Sequence, residues 1–292
     1  MATDKKATTM TTNTKTPKLS MSYTNLPAHL FAPTSVEAPP APEMLWTNPK
    51  LAVQIGVSQD WLSSPTALEL LTGQGTSSSV APIAMAYSGH QFGHLSPQLG
   101  DGRAVLLGEY LSDDKTLYDV HLKGSGRTAY SRGGDGKSTL RAALKEVLFS
   151  ECLAGLGIPT TRSLAVVGTG ETVMRQEPHH GAILVRLAKS LVRVGTFQFA
   201  ALAAAPDQAA NEQVKNKPLA VEELADFLIA REYPNIKGTR HARMQTLFQA
   251  VIDRQASLVV KWMSTGFIHG VMNTDNMALS GETIDFGPCA FM

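Results

Sequence analysis

Four groups of side chains in this chain are of types that bind phosphate or hold a divalent cation, and they come in a telling order. Lys123 ends the strand-like run Tyr118–Lys123, where an ammonium can contact phosphates. Glu146 follows on the next predicted helix and can reach back to hold that lysine. Further on, Asp275 and Asn276 follow a His269–Gly270 pair, and Asp285–Phe286–Gly287 comes after a short strand-like link. Strand Lys, helix Glu, loop Asp/Asn and Asp-Phe-Gly are, in that order, the groups that hold phosphates and metal in kinases. Each is weak alone: a strand-end lysine is ordinarily a solvated charge, and a lone Asp-Phe-Gly arises by chance. Together they point to a nucleotide site. One departure matters. Kinases put the catalytic Asp soon after the loop His and the metal-binding Asn some residues beyond it. Here Val271 or a neighbour holds the early position, and the acid, Asp275, stands directly before Asn276. Ordinary phosphoryl transfer would lack its base.

Other motifs read as decoys. Gly124–Ala129 fits the G-x-G-x-x-A form of a dinucleotide fingerprint, but the nearest candidate for the acidic residue required at the next strand end, Glu146, falls within a helix. Gly136–Lys137–Ser138 resembles the end of a P-loop, yet Ser131 stands where the first glycine is required. His90 and His94 could share a metal only with a third ligand that the spacing does not supply, so a loop or core role is expected.

The elements that must position these groups are legible in outline. Helical pieces are predicted at Pro49–Ile55 and Ser58–Leu71, and strands at Ala104–Leu111 and Tyr118–Lys123. A Gly/Ser/Arg loop, Gly124–Lys137, runs into a helix that Ser138 can cap, with an apolar stripe of Leu140, Leu144, Val147, Leu148 and Cys152 and with Glu146 away from that stripe. Ser163–Val167 and Thr172–Gln176, flanking Gly168–Glu171, read as a hairpin, and Gly181–Ala188 as another strand. Beyond Gly195 the pattern turns helical, with Val221–Glu232 and a longer helix marked by Met244, Leu247, Val251, Leu258 and Trp262. The expected fold class is α+β, with two kinase-like lobes and a cleft between them. Residues 1–42 read as a disordered tail and Pro-rich linker, 43–195 as the sheet-containing nucleotide-binding lobe, and 196–292 as a helical portion ending just past the Asp-Phe-Gly motif.

Composition bounds the partners. The net charge of +1 gives no electrostatic argument for nucleic acid or an anionic membrane. Two cysteines, Cys152 and Cys289, suit a reducing compartment better than a disulfide framework. No apolar run approaches the ~20 residues that cross a bilayer, so a soluble, cytoplasmic protein is expected. A mitochondrial location is the alternative if the Thr/Lys-rich first twenty residues are a transit peptide.

The stretches YSGHQFGHLSPQLGDGRA, LKGSGRTAYSRGGDGKSTLRAALKE, LGIPTTRSLAVV and HGVMNTDNMALSGETIDFGPCAFM resemble signature blocks of the selenoprotein O family of protein adenylyltransferases, over residues 40–292. The resemblance implies a kinase-like fold that binds ATP in a flipped orientation and transfers AMP to Ser, Thr or Tyr hydroxyls of other proteins. It implies that Lys123 contacts phosphate and pairs with Glu146, and that Gly100, Gly102, Arg103, Asp135 and Gly136 line the nucleotide site. Arg186 and Arg193 would grip the phosphate tail, Asp275 would act as base, and Asn276 and Asp285 would hold Mg²⁺ or Mn²⁺. Family members continue well past the position of Met292, so a C-terminally truncated copy is expected. Three readings stay open: an adenylyltransferase, a catalytically silent nucleotide-binding fragment, and a kinase-type phosphotransferase.

Overall fold

The computed structural model describes residues 16–75, 81–203 and 218–292. Two short strands, β1 (Leu19–Ser20) and β2 (Phe31–Pro33), precede β3 (Glu43–Thr47) and three short helices, α1 (Pro49–Ile55), α2 (Gln59–Leu62) and α3 (Pro65–Leu71). Next come β4 (Ile83–Met85), a small hairpin of β5 (Gly89–Gln91) and β6 (His94–Ser96), and the pair β7 (Ala104–Leu111) and β8 (Leu117–Lys123). β9 (Ser138–Thr139) leads into α4 (Leu140–Gly155), followed by β10 (Arg162–Met174) and β11 (Pro178–Ala188). The helical part is α5 (Val194–Leu202), α6 (Pro218–Glu232) and α7 (Arg240–Ser264), closed by a ribbon of β12 (Phe267–Ile268) and β13 (Ala290–Phe291). The class is α+β. Among the described residues no helix is long and apolar enough to cross a membrane.

The main sheet runs β2-β4-β7-β8-β11-β10-β3, with β1 added on β7 and β9 on β11, and its pairs are antiparallel. Successive strand residues point to opposite faces. One face, with Leu107, Leu122, Ile183 and Val185, is covered by Leu51, Ile55, Trp61, Leu62 and Leu70 of α1–α3. On the other, Ala182 and Leu184 meet Ala143 and Val147 of α4, while Leu106 and Ile83 share a core with Leu224 and Leu228 of α6, Leu247 of α7 and Ile284. The sheet-rich and helix-rich parts are thus joined by one continuous apolar core.

Four sequence expectations change. The tail-and-linker reading of residues 1–42 falls partly outside the described residues, but from Leu19 onward the chain packs. Composition hid this because a few large side chains suffice: β1 and β2 join the sheet, and Tyr23 and Leu30 are almost fully buried. Ser58–Leu71 is two helices, because Ser64 caps a fresh helix at Ala67 N–H and Pro65 at its first position has no N–H to continue the old one. The Gly168–Glu171 segment is not a turn but an irregularity within β10, with Gly170 at φ +75°; the hairpin closes instead where Arg175 N–H meets Glu177 O at 3.1 Å. Finally, Thr139, not Ser138, caps α4, and Leu144, Leu148 and Cys152 are exposed. The buried face of α4 is Ala143, Glu146, Val147, Ser150 and Leu153, so Glu146 points into the protein and not away from its packed side.

One buried cation staples the halves together. Arg231 of α6 donates to Glu109 of β7 at 2.9 Å, to Asp119 of β8 at 2.7 Å and to Lys189 O at 2.9 Å. Glu109 in turn accepts from the Ser22 N–H and hydroxyl, each at 2.6 Å. Removing one partner of such a cluster leaves buried carboxylates uncompensated. Arg231→Ala is therefore expected to lower stability by about 3–5 kcal/mol in urea unfolding, whereas Ser22→Ala, which leaves Arg231 in place, costs about 1 kcal/mol.

Candidate functional site

The face of β8 that α1–α3 leave free carries Asp119, His121 and Lys123 at alternate positions, and β11 places Arg186 directly opposite His121. Lys123 Nζ donates to Glu146 Oε2 at 2.7 Å and to Asp285 Oδ1 at 3.2 Å. Glu146 Oε1 accepts from Arg186 Nη1 at 3.0 Å. Burial pushes the Glu146 carboxyl up, but Lys123 and Arg186 outweigh it and leave it below its ordinary pKa. Asp285 is held well below the carboxylate range by Lys123 first, with Arg186, Arg103 and Arg193 behind it and burial opposing. Its backbone has φ +68°, a conformation that costs a non-glycine residue on the order of 1–3 kcal/mol. The neighbouring Phe286, 2% exposed in a cluster with Trp262 and Phe267, and the Lys123 contact hold it there.

Arg186 Nη2 lies 2.8 Å from His121 Nδ1. A guanidinium can only donate, so Nδ1 accepts and the ring proton sits on Nε2, which faces Asp101 Oδ2 at 3.3 Å. Burial lowers the ring's pKa to about 4 against the pull of Asp101, which keeps His121 neutral. Burial alone would raise Asp101, but His121, Arg193 and the Met85 N–H bring it to about 2. Asp101 Oδ1 meets Arg193 Nη2 at 3.4 Å, and Arg193 Nη1 donates to Asp275 O at 3.0 Å with its guanidinium 4.1 Å from the Tyr87 ring centroid. A continuous polar chain therefore runs from Asp285 through Lys123, Glu146, Arg186, His121, Asp101 and Arg193 to Asp275.

Asp275 and Asn276 sit in a short 3-10 turn, Thr274–Asn276. Gln91 Nε2 donates to Asp275 Oδ2 at 2.9 Å, while Oδ1 is buried and has no partner. Asn276 spends its amide on Val271 O at 3.2 Å, which turns Oδ1 away from that bond. His269 donates from Nε2 to Ile284 O at 2.9 Å and stacks on Trp262, so it ties this turn to the Asp-Phe-Gly segment.

These groups border one cavity of about 620 Å³. Of the residues expected at a nucleotide site, Gly100, Gly102, Arg103, Lys123, Asp135, Gly136, Arg186, Arg193, Asp275, Asn276 and Asp285 all line it, and Glu146 stands behind Lys123. Asp135 is at the rim, paired with Arg175 at 2.7 and 3.1 Å. The lining carries eight Arg and Lys side chains against four Asp, in a chain whose net charge is only +1. Two glycines owe their identity to the protein's own atoms: a Cβ on Gly100 would fall 2.3 Å from the Tyr130 ring, and one on Gly136 would fall 1.9 Å from Gly126 O. The P-loop lookalike is disposed of, since Lys137 Nζ is held by Glu171 and Glu37. His90 and His94 are exposed on the β5–β6 hairpin, and the described residues contain no group of three or more His, Cys, Asp or Glu that could hold a metal. Sequence reasoning missed His121, Asp101 and Gln91. The alternation Asp119-x-His121-x-Lys123 between apolar residues was the available signal for His121.

A family model described as Protein adenylyltransferase SelO matches residues 14–292. A protein nucleotidyltransferase YdiU of Clostridium perfringens is 50% identical over 274 residues, covering 94% of this chain and 53% of that protein. One from Halalkalibacterium halodurans is 47% identical over 287 residues, covering 97% of this chain and 56% of that protein. The chain thus spans about half the length of the curated relatives it matches. Among solved structures, ROP2 from Toxoplasma gondii, described as a virulence factor with a protein-kinase fold and no enzymatic activity, aligns at 10% identity with a TM-score of 0.33, over 83% of this chain and 64% of that one.

Neutral His121 has a measurable signature. The fold depresses its pKa from 6.5 to about 4, so the unfolded chain binds the proton first. Its contribution to stability is complete above pH 6.5 and is lost as pH falls toward 4. His121→Gln abolishes that titration. Its stability deficit against the unmutated chain is expected to shrink by up to about 3 kcal/mol between pH 7 and pH 4 in urea unfolding; a deficit independent of pH would mean that the ring is not held neutral.

Proposed function

Because the chain belongs to the SelO protein adenylyltransferase family, we propose that it transfers AMP from ATP to the hydroxyl of a protein Ser, Thr or Tyr. The observation that carries this reading is the cavity itself: it concentrates cations as a polyphosphate requires, and it sets beside them an acid whose one free oxygen has no partner. Phosphate binding needs only the first feature. Transfer to a hydroxyl needs both.

In this reading Lys123, fixed by Glu146, meets phosphate oxygens as a point charge. Arg186 and Arg193 have their η nitrogens held by Glu146, His121, Asp101 and Asp275 O, and each keeps a buried Nε–H without a partner. They are pre-organised to meet the phosphates of ATP in the flipped orientation, so that charge growing on the leaving pyrophosphate finds donors already in place. Gly100, Gly102, Arg103, Asp135 and Gly136 shape the mouth around the nucleotide. Asp275 Oδ1 takes the acceptor's proton as the hydroxyl oxygen bonds to the α-phosphorus and the bond to pyrophosphate breaks. The remaining oxygens of Asn276 and Asp285 are hard donors of the kind Mg²⁺ or Mn²⁺ takes, and such a cation would draw its other ligands from phosphate and water. Bound there, such an ion would neutralise charge on the phosphates.

The test is ATP labelled on the α-phosphate, with Mg²⁺ or Mn²⁺ and an acceptor protein. Label is expected in protein with release of pyrophosphate, and Asp275→Asn should slow incorporation about 10²–10⁴-fold while keeping the rise in Tm that ATP induces. If a parallel incubation with γ-labelled ATP labels protein while the α-label does not, the chain is a kinase-type phosphotransferase. A Tm rise with no label in protein would leave a nucleotide-binding protein without transfer.

A further inference from the structure

The β5–β6 hairpin breaks a local rule at its tip. Both residues of its turn, Phe92 and Gly93, have positive φ, +50° and +79°, as a tight two-residue turn between twisted strands requires. Gly93 is the residue such a turn asks for. Phe92 is not: a bulky side chain at positive φ is an outlier costing on the order of 1 kcal/mol, and Asn, Asp or Gly would sit there more easily. Packing does not offset that cost, since Phe92 is 90% exposed. A single exposed apolar residue is ordinary; one held in a strained turn, with no gain to the fold, marks a place where function has overridden local preference.

The hairpin is fixed to the reacting end of the cleft. His90 N–H donates to Thr274 Oγ1 at 2.8 Å, and Gln91 holds Asp275 Oδ2 at 2.9 Å. A Cβ on Gly89 would fall 2.7 Å from Asp275 Oδ1, so the strand backbone lies directly against the acid. Gln91 lines the cavity, and the exposed Phe92 next to it at the tip is not part of that lining. Leu95, across the ribbon, is also exposed, and among the described residues no third strand pairs with β5 or β6.

We propose that this hairpin docks the acceptor polypeptide: Phe92, with Leu95, takes an apolar or aromatic side chain near the accepting hydroxyl, and Gln91 holds the Asp275 carboxylate in place beside it. The occupant is an extended polypeptide segment, because the site continues directly from the acid that must meet its hydroxyl and lies outside the nucleotide cavity. This rests on the AMP-transfer reading above.

Phe92→Asn separates docking from folding. Asparagine suits the turn, so the variant should match or exceed the unmutated chain in Tm and keep its ATP-induced Tm rise. With β-casein as acceptor and labelled ATP at saturation, its KM for casein should rise at least about five-fold, the scale of one lost anchor, with kcat little changed; Phe92→Trp should restore the lower KM. An unchanged casein KM in Phe92→Asn would overturn the docking role and leave AMP transfer standing. If the unmutated chain moves no AMP to casein while ATP still raises its Tm, the transfer reading falls and the acceptor role falls with it.

Discussion

A buried guanidinium is costly unless its charge and most of its N–H groups are met, and the η nitrogens of Arg186 are met by Glu146 on one side and by the Nδ1 lone pair of the neutral His121 ring on the other. The rest of the cleft follows from that arrangement. With one carboxylate shared between Lys123 and Arg186, the two cations stand side by side facing the cavity. With a neutral histidine as spacer, Asp101 is free to hold a second guanidinium, that of Arg193. A protonated ring at His121 would face Arg186 with a like charge and have no lone pair to offer it. The site is therefore a line of alternating charge in which each member is fixed by its neighbours, and its flexibility lies in the oxygens and Nε–H groups that the line leaves over.

How much of this is legible in sequence depends on what kind of signal each element leaves. The strand Lys, helix Glu and Asp-Phe-Gly groups are readable because their chemistry is carried by residue type and order, and the structure brings Lys123 and Asp285 to one cavity with Glu146 behind the lysine. Strands β7 and β8 are readable because apolar runs are bounded by a clear turn. The face of α4 was not: Leu144 and Leu148 draw the eye as a stripe, but the helix lies on its sheet through Ala143 and Val147 and turns Leu144 and Leu148 outward. Only the sheet against which α4 packs decides which side is inner. The N-terminal segment was hidden for a related reason. Its composition is that of a linker, and it is held by a few long-range contacts, such as Ser22 on Glu109, that leave no local period. His121 failed to stand out because a lone histidine in a strand has many bland explanations, and its role depends on partners far away in the chain.

The same long-range logic shapes the frame. Arg231 gathers Glu109 and Asp119 from adjacent strands onto α6 of the helical part, and a single apolar core runs from Tyr23 to Ile284. The cleft is therefore a notch in one body of packed residues. Its walls keep their spacing through the core behind them, so the distance from Lys123 to Asp285 is set by packing as much as by their mutual attraction.

The glycines of the cleft have a consequence for inheritance. Gly100 and Gly136 are glycine because Tyr130 and Gly126 occupy the space beside them, whether or not a ligand is ever bound. A descendant that had lost its chemistry would still need both in order to close the loop, and would go on carrying a glycine-rich signature. Decay would show first where folding has no stake: at an acid whose free oxygen serves nothing inside the protein, and at a phenylalanine that its own turn would gladly exchange.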